Sequence, residues 1–232
     1  MYLKGKTALI TGISKGIGKA LAVQLLEAGT RVIGWGLTQP DYSHPNLHFI
    51  ACDISKEQAV AEAFAATQKI CSEVNFLVNN AGFGYFSPIE SFSNEKFKRM
   101  WEVNVWGAFL VSKAWVPTFK SQGSGHILNI SSIAGRVGMA QGEGYNSSKF
   151  ALSGMSESLF NELRHEGIKV STVYPGSTQT AFFDEIPGFD AHDRMVDPDE
   201  LASTLLAIMN TSPNFLVREI EIRPLSTRKK EK

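Results

Sequence analysis

Three features are scarce in this 232-residue sequence: cysteine, an excess of charge of either sign, and long apolar runs. The two cysteines, Cys52 and Cys71, are too few for a disulfide framework, so we expect free buried thiols in a reducing compartment. Lysine plus arginine and aspartate plus glutamate both number 23, so no overall field attracts nucleic acid or a membrane surface. No apolar run approaches the roughly 18 residues that a membrane helix needs. The composition therefore argues against secreted disulfide scaffolds, nucleic-acid binding and membrane insertion.

The chain also lacks internal repeats, low-complexity linkers and a recognisable leader. Its first letters, M-Y-L-K-G-K, enter a strand without the apolar core of a signal peptide. An apolar share of 43% is ordinary for a globular protein with a large core. We therefore expect one cytoplasmic domain over residues 1–225, followed by a polar, mostly basic tail over 226–232.

Short apolar segments alternate with amphipathic helical segments along the chain. The segment at 7–10 is a continuous apolar run, which suits a strand buried on both faces of a parallel sheet. Strands that alternate with helices predict an α/β fold with a doubly wound parallel sheet. Strands are expected at 7–10, 31–35, 47–52, 75–79, 125–130, 168–174 and, at an edge, 219–222.

Local signals predict where several helices begin and end. Ser55, with Gln58 three residues later, has the pattern of a capping box. Ser93 is expected to cap a long helix that ends near Pro117, and Asp197 followed by Pro198 marks the start of another. The segment 36–46 contains two prolines and is too short for a crossover helix, so a loop is expected there.

A glycine-rich turn, T-G-I-S-K-G-I-G at 11–18, lies between the first predicted strand and the first helix. Glycines permit close approach of the backbone to a ligand, and a helix N-terminus favours negative charge. Strand, turn and helix in this order predict a phosphate-binding site. Ligands of such sheets bind at the carboxyl ends of the strands, where Thr11, Asp53, Asn79, Ser132 and Pro175 fall.

Tyr145 and Lys149 are four residues apart in a segment with helical periodicity. Residues at this spacing share one helix face, which places the Lys149 ammonium near the Tyr145 phenol. A phenol titrates near about 10, and a neighbouring cation favours its ionised form. We therefore expect Lys149 to lower the pKa of Tyr145 and make the tyrosine a usable general acid or base. The Y-x-x-x-K pattern alone is weak, and its weight depends on the other motifs.

Those motifs occur in a particular order. They are T-G-x-x-x-G-x-G at 11–18, Asp53-Ile54, N-N-A-G at 79–82, Asn104-Val105, Ser132, Tyr145-x-x-x-Lys149, and Pro175-Gly176 with Thr180. With this set the chain resembles the short-chain dehydrogenases/reductases of about 250 residues, over nearly its whole length from about residue 4 to 225. The resemblance implies a single Rossmann-like domain and an oxidoreductase that transfers hydride between nicotinamide and a carbonyl or alcohol.

The same resemblance implies roles for four catalytic residues. Tyr145 would donate a proton to a carbonyl oxygen as hydride arrives, or accept one in the reverse direction. Ser132 would hydrogen-bond the same oxygen, where charge develops in the transition state. Lys149 would lower the pKa of Tyr145 and hold the nicotinamide ribose. Asn104 would open its helix locally and hold a water in a relay to Lys149.

It also implies a set of cofactor-binding residues. Asp53 would contact the adenine, Asn80, Ala81 and Gly82 would line the cofactor channel, and Thr180 would bind the carboxamide. The full set is Gly12, Ser14, Lys15, Gly16, Ile17, Gly18, Thr38, Asp53, Ile54, Asn80, Ala81, Gly82, Tyr145, Lys149, Pro175, Gly176, Thr178 and Thr180. No histidine has metal-ligand spacing, so no metal is expected.

The choice between the two nicotinamide cofactors depends on the end of the second strand. Relatives that prefer NAD usually carry an acid there, whereas this chain has Gly36 followed by Leu37 and Thr38. Relatives that prefer NADP often carry a basic residue in the glycine-rich turn, and Lys15 fits. They also often have an arginine just after the second strand, which is missing here. We therefore expect NADP(H) to be favoured over NAD(H).

The substrate is mostly hidden from sequence reasoning. Segment 178–195 is the expected lid, in which Phe182, Phe183, Ile186 and Phe189 either line an apolar pocket opposite Phe83, Tyr85 and Phe86 or close the lid against its own protein. We expect an NADPH-dependent ketone or aldehyde reductase acting on a small molecule. A 3-oxoacyl-carrier-protein reductase is one alternative, and an inactive nucleotide-binding regulatory or scaffold protein is another.

Assembly is the last expectation that the resemblance supplies. Relatives commonly pair the helices that bear Asn104 and Tyr145 with their symmetry mates. Segments 105–115 and 151–160 carry apolar residues on more than one face, as an interface requires. A homodimer or homotetramer is therefore expected.

Overall fold

A computed structural model describes residues 2–182, 192 and 194–226 of the chain. The strands that these residues form are β1 (Thr7–Thr11), β2 (Arg31–Gly36), β3 (Leu47–Ala51), β4 (Phe76–Asn79), β5 (Gly125–Ile130), β6 (Ile168–Pro175) and β7 (Glu219–Ile222). They make one parallel sheet in the order β3-β2-β1-β4-β5-β6-β7. The predicted doubly wound sheet is therefore confirmed. Five strand bounds differ from prediction by a single residue, within the usual variation of strand ends.

Helices cover both faces of this sheet. They are α1 (Gly16–Glu27), α2 (Glu57–Ile70), α3 (Asn94–Trp101), α4 (Ala108–Gln122), α5 (Glu143–Leu163) and α6 (Pro198–Met209). A π-helical segment, Glu102–Gly107, joins α3 to α4, and short 3-10 turns lie at Ile89–Ser91, Ile133–Gly135 and Arg164–Glu166. The connection between β2 and β3 is a loop, as predicted.

Successive side chains of a strand point to opposite faces of a sheet, and β1 shows how this builds two cores. Ala8 and Ile10 pack with residues of α1 and α6, including Leu21 and Leu205. Leu9 points the other way, into a core formed with α2, α4 and the end of α5. Both faces of β1 are thus fully buried, which explains why its sequence is a continuous apolar run.

The predicted capping box at Ser55 is wrong. The backbone N–H and the hydroxyl of Ser55 both donate to Oδ1 of Asp53, at 3.1 and 2.7 Å. Helix α2 begins only at Glu57, after Lys56, whose side chain makes no capping hydrogen bond. The Ser55 hydroxyl therefore binds the Asp53 carboxylate and does not cap the helix.

The helix expected to end near Pro117 is longer and less regular than predicted. Ser93 caps α3 as expected, accepting a hydrogen bond from the Lys96 N–H at 3.2 Å. Helix α4 then continues through Pro117, which is exposed, so that the carbonyl freed by proline can be hydrated. The buried Phe119 holds the last turn against the core, and the helix stops at Gly123, which has a φ of 62°.

The C-terminal part follows the prediction closely. Asp197 caps α6 by accepting from the Asp199 N–H at 2.7 Å, and Pro198 occupies the first turn. None of the helices formed by the described residues combines the length and apolar character needed to cross a bilayer. Phe183, Ile186 and Phe189 of the expected lid, and tail residues 227–232, lie outside the described residues.

Candidate functional site

A cavity of about 1120 Å³ lies at the carboxyl ends of the central strands. Every residue predicted for the site lines it except Gly18 and Asn104. Its walls come mainly from the segments that follow strands β1 to β6. Single ligand pockets usually measure roughly 300–1,000 Å³, so this one has room for a dinucleotide beside a small molecule.

The glycine-rich turn after β1 is tied to the turn after β4. The Thr11 hydroxyl accepts from the N–H groups of Asn80 and Ala81, both at 3.0 Å. The Asn80 amide in turn donates to the carbonyl oxygens of Thr11 and Gly12, at 2.9 and 2.8 Å. A side chain at Gly18 would overlap the Gly12 carbonyl oxygen. Gly18 therefore supports the cavity by permitting this close packing rather than by lining it.

The first turn of α1 faces the cavity. Gly16 and Ile17 line it, and Lys15, the residue before the helix, makes no capping hydrogen bond with its side chain. The N–H groups of such a turn lack partners within the helix and, with the helix dipole, attract anions. Gly16 has a φ of 58°, and a Cβ at this position would lie 3.2 Å from the Thr180 methyl group. The turn thus meets the segment after β6 across the cavity and fits a pyrophosphate.

Ser132, Tyr145 and Lys149 come together on one wall. Ser132 directly follows β5 and accepts from the Ala134 N–H at 3.1 Å, which opens the short turn before α5. The Ser132 hydroxyl donates to the Pro175 carbonyl oxygen at 3.4 Å, and it lies close enough to the Tyr145 phenol to lower that group's pKa. Lys149, one turn further along α5, donates from Nζ to the Ile130 carbonyl oxygen at 2.9 Å. All three side chains are buried, with Tyr145 only 8% and Lys149 only 5% exposed.

Burial shifts the titration of both α5 residues. It raises the pKa of Tyr145 to about 12, against the opposing effect of the hydrogen bond with Ser132. It lowers the pKa of Lys149 to about 8. The Lys149 Nζ lies 5.8 Å from the centre of the Tyr145 ring. Burial thus sets the direction in which the Tyr145 pKa moves. The expectation that Lys149 lowers this pKa stays a prediction.

Asn104 lies in the π-helical segment, which confirms the predicted local opening of the helix. Its side chain is 1% exposed and does not line the cavity. Its amide donates to the Phe83 carbonyl oxygen and the Ser148 hydroxyl, both at 3.0 Å, and its oxygen accepts from the Phe83 N–H at 3.1 Å. Asn104 therefore joins α5 to the loop after β4.

Arg99 is a residue of this site that sequence reasoning missed. It lines the cavity from α3, and its guanidinium contacts Asp53, which follows β3. The pKa of Asp53 lies below its usual value: burial acts to raise it, but hydrogen bonds from Ser55 and Arg99 outweigh that effect. No spacing signal links residues 53 and 99, because only the folded chain brings them together.

Aromatic rings surround the Tyr145 side chain. Phe86 and Phe182 both line the cavity, with ring centres 5.5 and 5.4 Å from that of Tyr145. Phe83 and Tyr85 belong to the same apolar cluster and also line the cavity. The sequence left open whether the lid aromatics line a pocket or close the lid against the protein. Phe182 does both, since it lines the cavity and packs on Tyr145.

The end of β2 bears on cofactor choice. Gly36, Leu37 and Thr38 line the cavity there, and Lys15 on the glycine-rich turn is exposed beside them. Asp41, the next acid along the chain, binds the Lys19 ammonium at 2.7 Å and is not part of the lining. This end of the cavity thus carries the exposed Lys15 ammonium, while Asp41 is paired with Lys19 and Asp53, in the lining, is paired with Arg99.

Neither a reactive thiol nor a metal site is evident among the described residues of the cavity. Cys52 lines the cavity as a free thiol, and burial, together with the charge of Asp53, raises its pKa to about 11. It is therefore a poor nucleophile near neutral pH. Over the described part of the chain, no three histidine, cysteine or acidic residues cluster as metal ligands would.

Comparison with known proteins agrees with this geometry. A family model described as short chain dehydrogenase matches residues 6–189. The farnesol dehydrogenase of Aedes aegypti is 32% identical over 239 residues, covering 95% of this chain and 96% of that protein. An alcohol dehydrogenase of Thermococcus sibiricus, solved with 5-hydroxy-NADP, is 26% identical with a TM-score of 0.85, covering 97% of this chain and 99% of that one. The 3-ketoacyl-(acyl-carrier-protein) reductase of Brucella melitensis, solved with NADH, is 27% identical with a TM-score of 0.83, covering 96% and 98%.

Proposed function

The chain belongs to the short-chain dehydrogenase family and is an oxidoreductase of C–OH and C=O groups, and we propose that it reduces a ketone or aldehyde with NADPH. One observation carries the proposal: Ser132, Tyr145 and Lys149 share a buried wall of the cavity that the glycine-rich turn opens into. A phosphate-binding turn and a proton donor in one cavity are what hydride transfer to a carbonyl requires.

Tyr145 would act as the proton donor in the reductive direction. A phenol with a pKa of about 12 is neutral near pH 7 and holds a proton to donate. A bound NADPH would supply the hydride for the carbonyl carbon. Tyr145 would give its phenol proton to the carbonyl oxygen, which takes up the electron pair of the C=O π bond, and a phenolate would remain. Ser132 lies beside Tyr145 and would donate to the same oxygen as charge develops, exchanging its long 3.4 Å hydrogen bond to the Pro175 carbonyl oxygen for this one.

Lys149 and Asn104 act around this centre. With a pKa of about 8, Lys149 is largely an ammonium near pH 7, which stabilises the phenolate left after proton transfer and can hold a ribose hydroxyl. Asn104 fixes the loop at Phe83 and the helix at Ser148, so it holds the two sides of the centre in register. We retain its proposed part in a water relay to Lys149.

The remaining lining residues suit the parts of a dinucleotide. We assign the pyrophosphate to the first turn of α1, the adenine to Asp53 and Ile54, the channel to Asn80, Ala81 and Gly82, and the carboxamide to Thr180. The other proposed cofactor contacts are Gly12, Ser14, Thr38, Pro175, Gly176 and Thr178, all in the lining. NADP(H) is favoured over NAD(H) because Lys15 is exposed at the rim while Asp41 is held by Lys19.

Two alternatives are separable by simple assays. Reduction of 3-oxoacyl groups on a carrier protein is favoured by the likeness to the Brucella melitensis reductase. That activity requires a 3-oxoacyl thioester on a carrier to be reduced faster than the same acyl group on a small thiol. A catalytically inactive nucleotide-binding scaffold has no need of Ser132, Tyr145 and Lys149, and burying these polar side chains costs stability.

Assembly and compartment are proposed on other features. Exposed aromatic side chains on α3, the π-helical segment, α4 and α5 favour a homodimer or homotetramer: Phe97, Trp101, Trp106, Phe109 and Phe150. The two free, buried cysteines favour a reducing compartment such as the cytoplasm.

The test is replacement of the proton donor. Tyr145→Phe should lower kcat for carbonyl reduction by about 100-fold or more, because general acid catalysis is typically worth that much. Its affinity for NADPH, followed by nucleotide fluorescence, should stay near wild type. Lys149→Ala should damage both turnover and NADPH affinity. A Tyr145→Phe enzyme that keeps more than about a tenth of wild-type kcat would refute the assignment.

A further inference from the structure

The part of the cavity beyond the Tyr145 ring has an uncharged, largely apolar lining. Besides Ser87 and Gln141, its described lining includes aromatic and aliphatic side chains from the loop after β4, the turn before α5 and the segment after β6. They are Phe83, Tyr85, Phe86, Ile133, Met139 and Phe182. We call this set the apolar wall.

The charged residues that line the cavity lie elsewhere. Among the described residues they are Lys15, Asp53, Arg99 and Lys149. Arg99 and Asp53 are paired with each other, and Lys15 lies on the glycine-rich turn. The Lys149 ammonium is bound to the Ile130 carbonyl oxygen beside Tyr145. None of these four charges belongs to the apolar wall.

Two phenylalanines hold the proton donor between them. The rings of Phe86 and Phe182 are tilted by 52° and 50° to that of Tyr145. All three converge on Gly84, where a Cβ would lie 2.6 Å from Cζ of Phe182, 3.1 Å from Cε2 of Phe86 and 3.2 Å from Cδ2 of Tyr145. Glycine at this position therefore lets the rings close around the phenol.

Ser87 and Asn146, two polar residues near the apolar wall, have hydrogen-bond partners. The Ser87 N–H donates to the Gln141 carbonyl oxygen at 3.0 Å, and the Ser87 hydroxyl lies 3.1 Å from that of Ser91. The Asn146 amide donates to the carbonyl oxygens of Ala134 and Val137, at 2.9 and 2.7 Å. Among the described charged side chains, Lys96 has its Nζ 6.0 Å from the centre of the Tyr85 ring and lies outside the cavity lining. A carboxylate or phosphate that enters here would lose its hydration without a charged partner from the apolar wall itself, which is strongly unfavourable.

Building on the proposed function, we propose that the substrate is an uncharged carbonyl compound with an apolar carbon skeleton. Phe86 and Phe182 hold that skeleton at Tyr145, and the apolar wall rejects analogues that carry a carboxylate or phosphate. Tyr145 and Ser132 are the polar groups that engage the substrate, at its carbonyl oxygen. An apolar pocket with few convergent polar groups is the usual arrangement for such ligands.

A matched pair of ketones tests the charge discrimination. Methyl para-acetylbenzoate and para-acetylbenzoate share their skeleton and reacting carbonyl but differ in one negative charge. Oxidation of NADPH by each gives kcat/KM, and the ester should be favoured by more than about tenfold because the acid must shed its hydration. Equal values, or preference for the acid, overturn the inference while carbonyl reduction stands. If neither ketone and no simple aldehyde or alkyl ketone oxidises NADPH, the proposed function fails as well.

Substitutions in the apolar wall test whether its side chains bind the substrate. Phe182→Ala and Phe86→Ala should each lower kcat/KM for the ester by about tenfold, mainly through KM, and leave NADPH affinity unchanged. Phe182→Leu, which keeps much of the apolar surface, should restore part of the loss. Phe215→Ala is the control, since Phe215 is exposed and outside the cavity lining. Unchanged KM values in both alanine variants, with NADPH still bound, would show that the apolar wall does not select the substrate.

Discussion

Arg99 and Asp53, 46 positions apart in the sequence, form an ion pair at the cavity, with Nη2 of Arg99 3.2 and 3.0 Å from the two carboxylate oxygens. Nη1 of Arg99 donates to the Ser55 hydroxyl at 2.5 Å and to the Glu102 carboxylate at 3.2 Å. Glu102 begins the π-helical segment that carries Asn104. Arg99 thus connects the proposed adenine end of the cavity to the segment that supports the catalytic wall.

This relationship predicts a cofactor-binding defect. Arg99→Met should free the Asp53 carboxylate and raise KM for NADPH about tenfold, as expected for loss of one charged hydrogen-bonding partner, with little change in kcat. Arg99→Lys keeps the charge but loses the planar fork, so it should restore only part of the affinity. Steady-state kinetics with varied NADPH measures both. A fall in kcat at unchanged KM would mean instead that Arg99 acts through the π-helical segment and Asn104.

Cofactor preference gives a second prediction. Wild type should favour NADPH over NADH in kcat/KM, and Lys15→Ala should lower the NADPH value about tenfold while hardly changing the NADH value, since only NADPH carries a 2′-phosphate. The expected loss is modest because an exposed lysine is screened and mobile. Lys120→Ala, which removes a surface lysine paired with Glu162, is the control. Preference for NADH, or equal losses with both cofactors, would show that Lys15 does not choose the cofactor.

Assembly gives a third prediction. Trp106 is 44% exposed and stacks on Phe109, with ring centres 5.3 Å apart, on the segment expected at an interface. Light scattering at micromolar concentration should show a dimer or tetramer, and Trp106→Asp should shift it to smaller species by placing a charge in an apolar interface. Phe215→Asp is the control: Phe215 is 56% exposed and lies elsewhere on the chain, so its replacement should leave the mass unchanged. A wild-type monomer would refute the proposed oligomer.

Periodicity was sufficient to predict the sheet and most helices, because burial on two faces imposes apolar runs on strands such as β1. Competition between local partners was not predictable. Ser55 fits a helix cap, yet the Asp53 carboxylate two residues earlier takes its hydroxyl. Pro117 is a strong stop signal, yet packing of Phe119 carries the helix past it. In both cases the sequence allows two local structures, and tertiary contacts decide which of them forms.

The members of the site were easier to predict from sequence than their electrostatics. Ordered motifs identified residues that line one cavity, because strand ends of a parallel sheet meet at one edge. Helical spacing placed Lys149 near Tyr145 but gave no information on hydration, and burial decides the direction in which the Tyr145 pKa moves. The contact of Arg99 with Asp53 depends on how α3 packs, which no short-range pattern reports.

His126 on β5 provides a prediction about stability and pH. It is buried, with Nε2 2.8 Å from the Ser171 hydroxyl. That hydroxyl donates to the Val217 carbonyl oxygen at 2.6 Å, so it accepts from His126 and the neutral ring carries its proton on Nε2. Nδ1 has no hydrogen-bond partner among the described residues. Burial, with some repulsion from Lys169, lowers the pKa of His126 to about 3.

The sign of the pH effect follows from where each state takes up its proton. An unfolded histidine titrates near about 6.5. On acidification the unfolded chain therefore binds a proton near this pH, whereas folded His126 binds one only near pH 3. This contribution to stability is fully present above about pH 6.5 and is lost as the pH falls toward 3, by about 2 kcal/mol at pH 5. His126→Gln keeps an N–H donor for Ser171 but does not titrate, so it should escape this loss.

Urea unfolding of wild type and His126→Gln near pH 7.5 and near pH 5 measures the difference. The variant is expected to be less stable at the higher pH, because glutamine packs less well beside Phe76, whose ring centre lies 6.3 Å from that of His126. On acidification, however, wild type should lose about 2 kcal/mol more than the variant, since other titrating groups contribute equally to both. His165→Gln, at an exposed histidine, should behave as wild type. Equal losses in wild type and His126→Gln would show that folded His126 accepts its proton as readily as the unfolded chain does.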